Sequence, residues 1–127
     1  TTPVRKLRND EQTDEFCNQM EGYEKMSDNF NEVTGGETPV LVDFYATWCG
    51  PCKMMGPVLA ELKQRFGDRL RIIKLDIDNP ANAESVRRYG VRSVPTLMLF
   101  RRGELLWRES GARRTDEMAA ILDRYIG

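Results

Sequence analysis

Three cysteines occur in the 127-residue chain, and two of them form the tetrad Cys49-Gly50-Pro51-Cys52. Thiols at this spacing on a helix lie one turn apart, close enough to close a small-ring disulfide and to reopen it. The preceding run, Val40-Leu41-Val42-Asp43-Phe44-Tyr45, is continuously apolar and β-branched apart from one aspartate. It reads as a strand buried on both faces. A helical pattern follows and continues through Phe66, with Pro57 inside it as an expected kink. The first sulfur then sits at a helix N-terminus, where unpaired N–H groups and the macrodipole favour an anion. A thiolate stabilised there is a nucleophile, and Pro51 fixes φ between the two sulfurs.

Two plainer readings compete. Buried cysteines near a strand can be inert core thiols, and a Cys-x-x-Cys pair can be half of a four-cysteine zinc site. Zinc needs two further ligands. Only Cys17 remains and the chain has no histidine, so no metal is expected. The missing histidine also excludes a catalytic imidazole and any Cys-His nucleophile pair.

The elements that must hold these sulfurs follow from periodicity. Phe16, Met20, Tyr23, Met26, Phe30 and Val33 recur at helical spacing, with Gly22 interrupting, so one long helix and two shorter pieces both fit. Thr34-Gly35-Gly36 ends that stripe. Leu70 to Asp76 reads as a second strand, and Asn79-Pro80 opens a helix running to about Tyr89. Pro95 precedes a third strand, Thr96-Leu97-Met98-Leu99-Phe100. Arg102-Gly103 is a turn into a fourth, Leu105-Leu106-Trp107, making a hairpin. A last amphipathic helix follows Thr115, with Met118, Ile121, Leu122 and Tyr125 on one side. Strands joined by helices run parallel and the hairpin adds antiparallel strands. The fold class is therefore α/β, a mixed central sheet of four to five strands with helices on both faces. Residues 1–36 read as an extension with a first helical segment and 37–127 as the catalytic domain of one globular unit.

Composition narrows the partners. Nineteen basic and twenty acidic residues leave a net charge of −1, which is not the basic footprint of a nucleic-acid binder. No apolar run approaches the roughly 20 residues of a membrane span, and no signal-peptide core is visible. The chain begins at Thr1 rather than Met, which suggests removal of an upstream segment and leaves the compartment open.

The segment Val42-Asp43-Phe44-Tyr45-Ala46-Thr47-Trp48-Cys49-Gly50-Pro51-Cys52-Lys53 closely resembles the active-site segment of the thioredoxin family. Pro57, Lys74-Leu75-Asp76-Ile77-Asp78, Tyr89-Gly90-Val91-Arg92-Ser93-Val94-Pro95-Thr96, Gly103 and Gly111 continue the match in order, over residues 37–127. The resemblance implies the thioredoxin fold and dithiol–disulfide exchange. Cys49 would attack a substrate disulfide, Cys52 would resolve the mixed disulfide, and the pair would end as the redox-active disulfide. Asp43 matches the family's buried carboxylate, which moves the proton of the resolving cysteine; its alternative is a solvated or capping strand-end aspartate. A carboxyl inside such an apolar run should titrate high. Lys74 matches the lysine beside that aspartate, its alternative being an exposed strand lysine. Pro95 matches a cis-proline facing the sulfurs, although only about 5% of X–Pro bonds are cis.

By the same resemblance Val94 supplies a strand-like edge for an extended substrate. Trp48, Gly50, Pro51, Val91, Gly111 and Ala112 complete an apolar docking surface, with Trp48 exposed rather than in the core. No cofactor is implied beyond the two sulfurs. The partners implied are disulfide-containing proteins and a flavin- and NADPH-dependent thioredoxin reductase, with the chain acting as a monomer in the cytoplasm.

Three features depart from the family pattern. The family opens with an apolar strand, but Glu21 to Met26 is weakly apolar and looks helical, so a first strand is short or missing. The extension carries Cys17, read as structural or incidental, with a regulatory or dimer-forming thiol as the alternative. Tyr45 stands where many relatives have Trp. A general reductase is the leading function, because no histidine between the cysteines over-stabilises the thiolate. The alternatives are a periplasmic or secreted oxidoreductase or isomerase, and a non-catalytic partner subunit. An intact Cys-Gly-Pro-Cys argues against a mere scaffold.

Overall fold

The computed structural model describes residues 26–126. Cys17, the Gly22 break and the question of a first strand over Glu21 to Met26 fall wholly or largely outside that range. In chain order the elements are α1 (Met26–Thr34), β1 (Val40–Tyr45), α2 (Gly50–Phe66), β2 (Arg71–Asp76), α3 (Ala83–Arg88), β3 (Thr96–Arg101), β4 (Glu104–Ser110) and α4 (Thr115–Ile126). Single 3₁₀ turns lie at Gly67–Arg69 and Pro80–Asn82. The helix expected from Asn79-Pro80 thus opens as a 3₁₀ turn, capped by the Asn79 carboxamide on the Ala81 N–H, before it becomes α3.

Among the described residues the sheet has four strands in the order β2-β1-β3-β4. β1 and β2 are parallel, β1 and β3 antiparallel, and β3 and β4 antiparallel. This is the mixed sheet expected from the order of elements, and it makes β1 a central strand. Every residue of β1 is buried, as its unbroken apolar run requires.

The two faces separate cleanly. Leu41, Ile72, Leu97 and Leu99 join Met55, Leu59, Leu62 and Phe66 of α2 and Met118 and Leu122 of α4. Val40, Val42, Phe44, Ile73, Leu75, Met98 and Phe100 meet Phe30 of α1 on the other face, with Val86 and Tyr89 against them. The Phe30, Tyr89 and Phe100 rings interlock at centroid distances of 5.3–5.6 Å, two of the three contacts being edge-to-face.

β4 is longer than the run of three apolar residues that announces it. It is an edge strand whose outward positions are Glu104, Arg108 and other polar groups, and a register shift between Leu99 and Phe100 marks a bulge in the ladder. The β3–β4 turn is tied back to the α1–β1 connection. The Arg102 N–H donates to the Gly36 carbonyl, the Gly103 N–H to the Thr34 carbonyl, and the Arg102 guanidinium to Glu37 at 2.8 Å.

Candidate active site

Parallel β1 delivers its C-terminal end to the N-terminus of α2, and the Cys-Gly-Pro-Cys tetrad occupies that junction. Cys49 is the N-cap of α2, in extended conformation, and Pro51 occupies the first turn, where a missing N–H costs nothing. Cys49 and Cys52 are joined as a disulfide with their Cα atoms 5.3 Å apart. The Cys52 N–H donates to Cys49 Sγ at 3.1 Å. One of the unpaired donors of the helix end therefore points at the first sulfur, the arrangement that favours negative charge there. The residues are 5% and 3% exposed, so exposure does not separate them; the helix does.

Tyr45, Ala46, Cys49 and Cys52 form a small cluster of their own, against which Ile77 and Val94 pack. The Val94 carbonyl oxygen lies 3.7 Å from Cys49 Sγ, and the Val94–Pro95 peptide bond is cis. Pro95 is buried, and its carbonyl accepts from the Gly111 N–H at 2.8 Å, which brings Gly111 and Ala112 to the same end of the sheet. Gly50, Pro51, Gly111 and Ala112 are exposed. Val91 is half-buried and packs against the Phe30 and Phe100 side of the sheet.

Trp48 is 68% exposed, not a core residue. Its indole N–H donates to Asp78 Oδ2 at 2.7 Å, and Asp78 is itself placed by its own N–H bond to Asp76 Oδ1. Sequence reasoning missed Asp78 in this role. Met54, 65% exposed on the first turns of α2, adds an apolar side chain beside the tetrad.

Asp43 and Lys74 are direct neighbours in the β1–β2 register, on the sheet face that α2 covers. Asp43 is fully buried and Lys74 only 5% exposed, so the alternative of an ordinary exposed strand lysine does not hold. The Lys74 ammonium lies 4.6 Å from the centre of the Tyr45 ring. Tyr45 was legible only as a departure from the family's Trp. Arg108, reaching from β4, donates to the carbonyls of Tyr89 and Gly90 at the end of α3, a second contact with no signal in sequence. Among the described residues no group of three or more His, Cys, Asp or Glu is placed to hold a metal ion, and no helix is long and apolar enough to cross a membrane.

The family model described as Thioredoxin matches residues 22–124. The Bacillus subtilis thioredoxin is 39% identical over 102 residues, spanning 80% of this chain and 96% of that protein. The Pseudomonas aeruginosa thioredoxin is 44% identical over 95 residues, spanning 75% and 86%. Among solved structures, the Malassezia sympodialis thioredoxin (Mala s 13) superposes with a TM-score of 0.70 at 35% identity, covering 79% of this chain and 88% of that one.

Proposed function

The chain belongs to the thioredoxin family, and from that premise we propose how its residues divide the reaction. The protein is a thiol-disulfide oxidoreductase that reduces protein disulfides through its Cys49–Cys52 pair. In the reduced protein the Cys49 thiolate attacks one sulfur of a substrate disulfide. A Cys49–substrate bond forms, the substrate S–S bond breaks, and the departing thiolate takes a proton from water. The Cys52 thiol then passes its proton to Asp43 and its sulfur attacks Cys49 Sγ. The Cys49–Cys52 bond forms and the second substrate thiolate leaves. Two electrons have moved from the pair to the substrate; the one proton the pair releases passes by way of Asp43 to the second substrate thiolate, and the first thiolate has taken its proton from water. The Cys52 N–H bond to Cys49 Sγ at the mouth of α2 is the observation that carries the assignment of Cys49 as nucleophile. Asp43 as proton acceptor is supported by its full burial on the face beneath α2, and Lys74 as its partner by their adjacent register.

The docking surface comprises Trp48, Gly50, Pro51, Val91, Val94, Pro95, Gly111 and Ala112. A substrate segment lies extended along Val94, whose carbonyl faces the attacking sulfur. A flavin- and NADPH-dependent thioredoxin reductase returns the electrons, and the protein works as a monomer in the cytoplasm, where thiols are kept reduced. Residues 1–20 are dispensable for the chemistry, and their removal leaves insulin reduction within about twofold.

Reduction of insulin disulfides with dithiothreitol as electron source tests the whole reading. The parent should precipitate insulin catalytically, and Cys49→Ser and Cys52→Ser should each stay at the uncatalysed rate. Activity surviving in Cys49→Ser would sink it.

A further inference from the structure

Resolution of the mixed disulfide depends on Asp43 and Lys74, yet neither belongs to the small cluster that encloses the sulfurs. Tyr45 belongs to both groups. It clusters with Cys49 and Cys52, and the centre of its ring lies 4.6 Å from the Lys74 ammonium. The ring is 7% exposed and the lysine 5%, so the contact is removed from bulk water, where a cation over an aromatic face is worth most. Register fixes the geometry. Tyr45 and Asp43 are two residues apart on β1 and so share a face, while Lys74 stands beside Asp43 on β2. A lysine stem is long and its head prefers solvent.

We propose that Tyr45 is a positioning residue of the resolving step, its ring face holding the Lys74 ammonium beside the Asp43 carboxylate while Cys52 gives up its proton. The inference rests on the Asp43–Lys74 reading given above. It extends that reading to a residue that makes no proton transfer itself. The ionisable groups facing the ring are Asp43 from β1, Lys74 and Asp76 from β2, and the two sulfurs from α2, while β3 presents only Leu97 and Leu99 there. Without the ring the ammonium swings to solvent. The carboxylate then loses a nearby cation, and proton uptake from Cys52 is pushed to higher pH.

The experiment uses the reduced full chain and the aromatic disulfide 5,5′-dithiobis(2-nitrobenzoate) in stopped flow. Cys49 releases the first coloured thiolate and Cys52 the second, so the second phase is resolution alone. Tyr45→Leu should slow that phase about three- to tenfold at neutral pH and leave the first phase within about twofold. The pH at which the second phase reaches half its maximum should move upward. Tyr45→Phe, which keeps the ring, should restore both rate and profile. In a Lys74→Met background, Tyr45→Leu should add no further slowing. Equal slowing by Tyr45→Leu with and without Lys74 overturns the proposal, since the ring would then act by packing alone. An unchanged second phase in Lys74→Met overturns it together with the Asp43–Lys74 reading. A slowed Lys74→Met with an unaffected Tyr45→Leu overturns it and leaves that reading standing. Should Tyr45→Leu fail to fold, Tyr45→Met fills similar volume without a π face and takes its place.

Discussion

Trp48 and Asp78 hold each other at the rim of the disulfide. An indole 68% exposed donates to a carboxylate thirty residues away at 2.7 Å, a bond that orients the largest apolar side chain of the proposed docking surface. A pre-oriented aromatic spares ordering cost when a substrate arrives. Asp78→Ala should therefore raise KM for a protein disulfide about three- to tenfold, the net scale of one solvent-exposed hydrogen bond, with kcat nearly unchanged. Steady-state insulin reduction checks this, and an unchanged KM would show that the ring's orientation does not matter.

The proposed division of labour between the two sulfurs can be read directly. Cys52→Ser should accumulate a mixed disulfide with substrate, because nothing remains inside the helix to attack Cys49 Sγ, and Cys49→Ser should accumulate none. Intact-mass spectrometry after mixing with an oxidised protein substrate reads both. A trapped adduct on Cys49→Ser instead would reverse the two roles.

Arg108 donates to both carbonyls at the end of α3, just before the loop that leads to Val94 and Pro95. A planar fork can serve two carbonyls at once, whereas an ammonium serves as a point charge. Both Arg108→Ala and Arg108→Lys should raise KM for protein substrates by about twofold to fivefold, with alanine the larger effect. Hydrogen exchange of the Val91 to Val94 amides should speed up in parallel; protection equal to the parent would confine Arg108 to the surface.

Glu37 and Arg102 form a bidentate pair between the α1–β1 connection and the β3–β4 turn. The guanidinium beside Glu37 holds its carboxyl below the usual carboxylate value, through the hydrogen bond first and the opposite charge second. A carboxyl depressed in the folded state stabilises above its unfolded pKa and loses that contribution as pH falls through the folded value. Glu37→Gln should lower Tm slightly at neutral pH and low salt. The difference should shrink as pH falls below the ordinary carboxylate range and through the lowered folded value, and also at about 1 M salt. A pH-independent difference would mean that the effect is not ionic.

Phe100 joins the sheet to α1 and α3 through its edge contacts with Phe30 and Tyr89. It is 1% exposed, and Phe100→Ala should cost about 3–5 kcal/mol in urea unfolding. A loss under about 1 kcal/mol would show that the three rings repack around the gap.

The tetrad, the central strand and the sheet topology were readable from sequence because each rests on local signals. β1 shows an unbroken apolar run, the tetrad sits where that run ends, and the crossover to β2 leaves room for a helix. What sequence did not show are the contacts made by ordinary residues far away in the chain. Asp78 looked like one of several acidic residues after β2, and Arg108 like one of nineteen cations. Lys74 was placed beside the buried aspartate only by the family match, since its residue type alone suggests an exposed strand lysine. In the fold it is buried, with the Tyr45 ring of the neighbouring strand 4.6 Å from its ammonium. The length of β4 was hidden for a different reason: an edge strand with polar outward positions has few apolar residues to announce it.

The strand order β2-β1-β3-β4 has a consequence for synthesis. Among the described strands β1 is the first to leave the ribosome, and like β3 it needs a partner on each side. Its second partner, β3, is made only after α2, β2 and α3. Through that interval Val40 to Tyr45 offers an apolar segment with open hydrogen-bonding groups on at least one edge, the kind of surface on which nascent chains associate. Slow translation between Asp76 and Thr96 should therefore depress the yield of folded protein more than the same pause placed after Ser110.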